Sequence, residues 1–180
     1  MTGGRSGWKR AKSTTAISSA IPKRSGALGT FAAQTIVPAV RRRIAEARAA
    51  GDAVVFTLDT HTERYAQTQE GRKLPVPHCI RGTDGWKLES SLDATGCPVF
   101  EKPGFGSPAL IEYLKSLPDL TEVEFVGLCT DICIITNAMM LKGALPEVVI
   151  RVRANACAGV TPESHETALA AMKMCQIEIL

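Results

Sequence analysis

A cysteine in the first turn of a helix faces unpaired backbone N–H groups and the positive end of the helix dipole, and both favour thiolate over thiol. The segment Gly127-Leu-Cys-Thr-Asp-Ile-Cys133 has the pattern of a strand running into such a helix, which makes Cys133 a candidate nucleophile. The same N–H groups suit the oxyanion that forms when a thiolate attacks a carbonyl. On spacing alone, Cys129 and Cys133 also read as small buried hydrophobes. Lys102, in Phe100-Glu-Lys-Pro-Gly-Phe-Gly106, ends another apolar run, and an ammonium held beside a cysteine stabilises its thiolate. Taken by itself it is an ordinary surface lysine. A third group is Asp59 with His61, then Glu70, then His78. Residues two apart on a strand tail point the same way, so Asp59 and His61 have ligand geometry. Carboxylate and imidazole donors suit Zn, Mn or Fe, and the lack of a cysteine among them argues against a structural zinc site.

These groups act together only if a scaffold gathers three separate segments. Hydrophobic spacing predicts a helix over 31–50 with Ile36, Val40, Ile44 and Ala47 on one face, stopped by Gly51. Strands are expected over 53–58, 98–101, 123–128 and 148–152, with helices over 108–117, 131–142 and 162–174 and an edge strand over 177–180. The last helix has a readable start, because Thr161 can cap it and Pro162 suits its first position. His165, in its first turn, reads as structural. Alternating strand and helix predicts an α/β fold, a doubly wound parallel sheet with helices on both faces. In such sheets functional groups collect at the carboxyl ends of strands, where Asp59, Lys102 and Cys129 all fall. The connection 60–96 has no repeating period, and a loop of that length inside a compact domain is usually functional.

The 180 residues suit one domain, and a 45% hydrophobic content suits a packed core. The net charge of +3 is unevenly placed, for residues 1–45 contain no Asp or Glu and the remainder is acidic. That basic stretch carries few aromatics and no groove-binding motif, which speaks against nucleic-acid binding. No apolar run approaches the ~20 residues that cross a bilayer, so no membrane association is expected. The six cysteines sit in or beside the expected strands and helices, which fits a reducing cytoplasm better than a disulfide framework.

Four phrases, Asp59-Thr-His61, Pro77-His-Cys-Ile-Arg-Gly-Thr-Asp-Gly85, Glu101-Lys-Pro-Gly-Phe-Gly-Ser107 and Gly127-Leu-Cys-Thr-Asp-Ile-Cys133, follow in order. In this they resemble the isochorismatase-like cysteine hydrolases, and within them the nicotinamidase and pyrazinamidase type. The resemblance implies an amidohydrolase that converts nicotinamide to nicotinate and ammonia through a thioester on Cys133. It makes Lys102 the triad lysine and gives the oxyanion hole to the N–H groups of Cys129 and Cys133, with a cis bond between Leu128 and Cys129. It also implies a divalent metal, zinc first and manganese or iron as alternatives, held by Asp59, His61, His78 and Glu70, with Glu63 in reserve. Phe105 is placed to contact the substrate ring, and relatives are often homo-oligomers.

The resemblance begins near Gly26, dividing the chain into a non-matching basic segment, 1–25, and a hydrolase domain, 26–180. Counting back from Gly26-Ala-Leu-Gly29, the family's catalytic aspartate falls at Ser18 and its second acid near Pro22. The first acid in the chain is Glu46, so no neighbour replaces them. The first strand is therefore expected to be degraded or replaced, with a serine- and threonine-rich sequence in a central slot, impaired activity and poor order over 1–25. Two other readings remain open at this stage: the same fold acting on another amide or a ureido compound, and a catalytically dead homologue serving as a binding partner.

Overall fold

A computed structural model of the chain describes residues 13–18 and 31–180. Its sheet has six parallel strands in the order β3-β2-β1-β4-β5-β6: β1 Ser13–Ser18, β2 Ala53–Asp59, β3 Val99–Lys102, β4 Glu122–Leu128, β5 Val149–Ala158 and β6 Glu178–Ile179. The chain winds outward in one direction through β2 and β3, then returns to the other side of β1 for β4 to β6. The topological switch point thus lies between β1 and β4, where a crevice opens at the strands' carboxyl ends.

All seven residues of β2 are buried, as expected of a parallel strand covered on both faces. One face packs against α1 (Phe31–Thr35) and α2 (Val37–Ala50), with Val40, Ile44 and Ala47 seated on Val54, Phe56 and Val126. The other face packs against α4 (Pro108–Ser116), α5 (Ile135–Ala144) and α6 (Pro162–Met174) through Leu110, Leu114, Ile134, Leu141 and Met172. Helices on both faces of a parallel sheet are the architecture that the alternation of elements predicts.

Several boundaries differ from the sequence-based expectation, each for a local reason. The helix expected over 31–50 is broken at Ile36, because Pro38 has no N–H to donate and its ring collides with the carbonyl four residues back. The helix expected from residue 131 begins instead as a π-helical turn, Thr130–Ile134. Strand β5 runs six residues past its expected end, through the polar Arg153 and Asn155, while its register against β4 shifts between Phe125 and Gly127. The 60–96 connection holds short 3-10 turns and a five-residue helix, α3 (Gln69–Lys73).

The central slot is filled by Ser13–Ser18, paired on one side with β2 and on the other with β4. Its polar composition leaves a trace. Thr14 is fully buried, and its hydroxyl finds no hydrogen-bond partner among the described residues. The expected poor order of 1–25 otherwise lies outside the described residues, as does the position near Pro22.

Candidate active site

Four adjacent strands, β3, β2, β1 and β4, each deliver a position to the crevice. β1 ends at Ser18, whose Cα partner is Gly127 of β4. β2 ends at Asp59 and β3 at Lys102, and these two are direct neighbours in register. β4 ends at Leu128, joined to Cys129 by a cis peptide bond, and the π-helical turn then carries Cys133.

Lys102 is 1% exposed, unlike the surface lysine that its sequence context also allowed. Its Nζ donates to Asp59 Oδ1 at 3.1 Å, to the Gly104 carbonyl at 2.9 Å and to Cys133 Sγ at 3.3 Å. Burial works against the ammonium, but the adjacent Cys133 and Asp59 outweigh it and hold the Lys102 pKa above its ordinary value. Burial also works against the Asp59 carboxylate, and there His78, Lys102 and His61 outweigh it, holding the carboxyl below the usual range. Cys79 and Cys129 line the same cavity, and burial pushes each thiol up to about 12. Cys133 is the cavity cysteine with an ammonium in hydrogen-bond contact.

Beside this pair, four donor atoms converge. Asp59 Oδ2 lies 3.3 Å from His61 Nε2 and 3.5 Å from His78 Nε2, while Glu70 Oε1 lies 3.6 and 3.5 Å from the same two nitrogens. Donors held about 2.1 Å from one ion stand roughly 3 to 3.5 Å apart, so the spacing fits a divalent metal. A second observation agrees: His61 Nε2 is buried with no hydrogen-bond partner among the described residues, which is costly unless a ligand takes its lone pair. His78 Nδ1 sits 2.8 Å from the Val76 carbonyl, which fixes the proton on that nitrogen and leaves Nε2 to face the site.

The backbone locks these segments together. The His61 N–H donates to the Cys79 carbonyl and the Arg81 N–H to the His61 carbonyl, both at 2.9 Å, and the Thr60 N–H reaches the Lys102 carbonyl at 2.8 Å. Tyr65, 1% exposed, packs edge-on against both imidazoles and donates its hydroxyl to the Leu74 carbonyl. Gly71 lies so close beneath it that a Cβ would stand 2.0 Å from the Tyr65 carbonyl oxygen, so α3 is pressed inward and carries Glu70 beside the two imidazoles. Glu63 is exposed and does not line the cavity, so the reserve ligand is set aside.

The cavity, about 700 Å³, runs from Glu70 and His78 past Phe105 to Cys133. Phe105 is 48% exposed at its mouth. Sequence reasoning missed three supports of the turn that carries Cys133. Asp131 accepts the Val160 N–H on both carboxylate oxygens at 3.2 Å and the Ser164 hydroxyl, and fully buried Thr130 pairs with His165 Nδ1 at 2.8 Å, tying the cysteine turn to the start of α6. His165 thus has the structural role expected of it. The third is Asn137, fully buried one helical turn beyond Cys133. Its available signal was an amide within the run from Ile134 to Leu141, where Thr136 is the other polar residue.

Comparison with known proteins gives consistent results. Residues 17–180 match the Isochorismatase domain family. The isochorismatase family protein PncA of Bacillus subtilis is 29% identical over 129 residues, covering 66% of this chain and 69% of that protein. A crystal structure of the nicotinamidase PncA from Bacillus subtilis superposes with a TM-score of 0.80 at 26% identity, covering 93% of this chain and 98% of that one. The pyrazinamidase of Pyrococcus horikoshii in complex with zinc gives a TM-score of 0.80 at 21% identity, over 94% and 98% of the two chains.

Proposed function

The chain belongs to the isochorismatase family of hydrolases, and from that premise we propose that it deamidates nicotinamide to nicotinate and ammonia, with Cys133 as nucleophile. The observation that carries the reading is the contact of 3.3 Å between the Lys102 ammonium and Cys133 Sγ, in a cavity that also holds the four converging donors.

The thiolate of Cys133 attacks the carboxamide carbon while the N–H groups of Cys129 and Cys133 receive the developing oxyanion. As the C–N bond breaks, Lys102 gives a proton to the leaving nitrogen and ammonia departs, leaving a thioester. The neutral Lys102 amine then takes a proton from water as that water attacks the thioester, and the thiolate is released with nicotinate. Asp59, His61, His78 and Glu70 would hold zinc, manganese or iron, whose Lewis acidity would anchor the pyridine nitrogen. Phe105 packs against the ring and keeps the carboxamide turned toward Cys133.

Position 18 weakens this machinery. It lies where β1 ends, between the ends of the strands that carry Asp59 and Cys129, and a serine there offers no carboxylate to move the thiol proton. General acid–base help is worth about 10²- to 10⁴-fold, so Ser18→Asp is expected to raise kcat for ammonia release by at least about a hundredfold in the presence of zinc or manganese. The same missing carboxylate favours a second reading, a homologue that binds the amide without turning it over. Ammonia release assayed with and without each metal, in the native chain and in Ser18→Asp, separates the two. Activity confined to Ser18→Asp supports an impaired enzyme, and inactivity of both supports the binding reading.

A further inference from the structure

Lysine is flexible, and four rotatable side-chain bonds would let its ammonium wander unless something fixes the backbone around it. Three of the atoms near Lys102 Nζ fix only the tip. The Gly104 carbonyl, one of them, belongs to the turn that follows β3, so the separation of Lys102 from Cys133 depends on where that turn lies relative to α5.

The turn is held on α5 in two ways. Gly106 lies so close to the helix that a Cβ would stand 2.4 Å from Met140 Sδ and 2.9 Å from Thr136 Cγ2. Asn137, fully buried, uses both ends of its carboxamide: Oδ1 accepts the Ser107 N–H at 2.8 Å, and Nδ2 donates to the Cys133 carbonyl at 2.8 Å and more distantly to the Phe105 carbonyl at 3.4 Å. Asparagine is a poor helix former, and an amide buried without partners is destabilising, so this position is stable only because both ends are satisfied. One side chain therefore joins the residue that carries the thiol to the turn that carries the lysine's carbonyl partner and the ring-facing Phe105.

We propose that Asn137 is a positioning residue that sets the distance between Lys102 and Cys133 by clamping the turn after β3 onto the nucleophile's own backbone. The inference rests on Cys133 being the nucleophile, and its test does not require amide turnover. Iodoacetamide alkylates a thiolate directly, and peptide mass spectrometry assigns the rate to each cysteine. In the native chain, Cys133 is expected to react faster than exposed Cys175 at neutral pH. Asn137→Ala frees the turn, so Cys133 alkylation falls about tenfold at neutral pH and its pH profile moves upward, because an ammonium in contact with a thiol favours the thiolate. Asn137→Asp keeps the shape and the acceptor for Ser107 but loses the donor to Cys133, and it retains part of the rate. Leu141→Ala, which opens the same helix's core face without touching the turn, leaves the profile where it was.

An unchanged profile in Asn137→Ala, or an equal shift in Leu141→Ala, overturns the proposal. In the unaltered chain the Ser107 amide is expected to exchange slowly with solvent, and rapid exchange overturns it independently of whether any variant folds. If Cys133 of the native chain reacts no faster than Cys175, the nucleophile assignment itself fails, an outcome distinct from failure of the clamp.

Discussion

Asp59 serves two neighbours at once, Oδ1 facing Lys102 and Oδ2 facing the imidazoles, so the proposed metal site and the proposed nucleophile's lysine share one carboxylate. Asp59, Lys102 and Cys133 were legible as candidates in the sequence because two end strands and the third lies in the turn that follows one, and a parallel sheet gathers such ends by construction. Asn137 and Asp131 were not, because their partners are the N–H groups of Ser107 and Val160, which lie about thirty residues away in the chain. Nothing in local spacing encodes that kind of contact. Glu70 already stood ahead of Glu63 as a candidate ligand on sequence grounds, and the inward press of α3 supports that order. Glu70→Ala is expected to weaken zinc binding at least about tenfold in isothermal titration, while Glu63→Ala leaves it unchanged. Equal effects of the two would remove Glu70 from the ligand set.

Strand β1 has the serine- and threonine-rich sequence expected of a degraded or replaced first strand, and Ser13–Ser18 still pairs on both sides, because backbone hydrogen bonds to β2 and β4 do not depend on side-chain type. The cost of that composition appears at Thr14, whose buried hydroxyl has no hydrogen-bond partner among the described residues. Thr14→Val, nearly the same shape, is expected to stabilise the chain by about 1 kcal/mol, read as a higher urea midpoint with an unchanged slope. A lower midpoint would mean the hydroxyl is satisfied.

On the next strand, β4, Glu124 is 2% exposed and accepts from Arg43 of α2 at 2.7 Å and from Arg153 of β5 at 2.8 and 3.0 Å. Burial raises the carboxyl, but Arg153 and Arg43 outweigh it, so its folded pKa lies below the ordinary value of 4.5. A carboxyl depressed on folding contributes stability that is fully present above its unfolded pKa and lost as pH falls through the folded one. Urea unfolding at a series of pH values should therefore show stability declining below about pH 4.5, less steeply in Glu124→Gln. Equal slopes in the two chains would mean the ion cluster holds no such stability.

At the scale of the whole molecule, the parallel sheet and the helices on its two faces follow from the alternation of hydrophobic segments, and a parallel sheet brings its carboxyl ends together. Among the described residues, no helix is long and apolar enough to cross a membrane. Pattern could not supply the packing of the long connection after β2, since its short helix and 3-10 turns are held by Tyr65 and Gly71 rather than by any period. That packing turns a sheet with a cysteine into a pocket with three cysteines, Cys79, Cys129 and Cys133, of which Lys102 donates a hydrogen bond to Cys133. The most direct test is acid quench of the Ser18→Asp chain during turnover of nicotinamide with zinc, followed by peptide mapping. The expected product is a nicotinoyl thioester on Cys133, and ammonia release with the acyl group on Cys79, on Cys129 or on no cysteine would contradict the assignment.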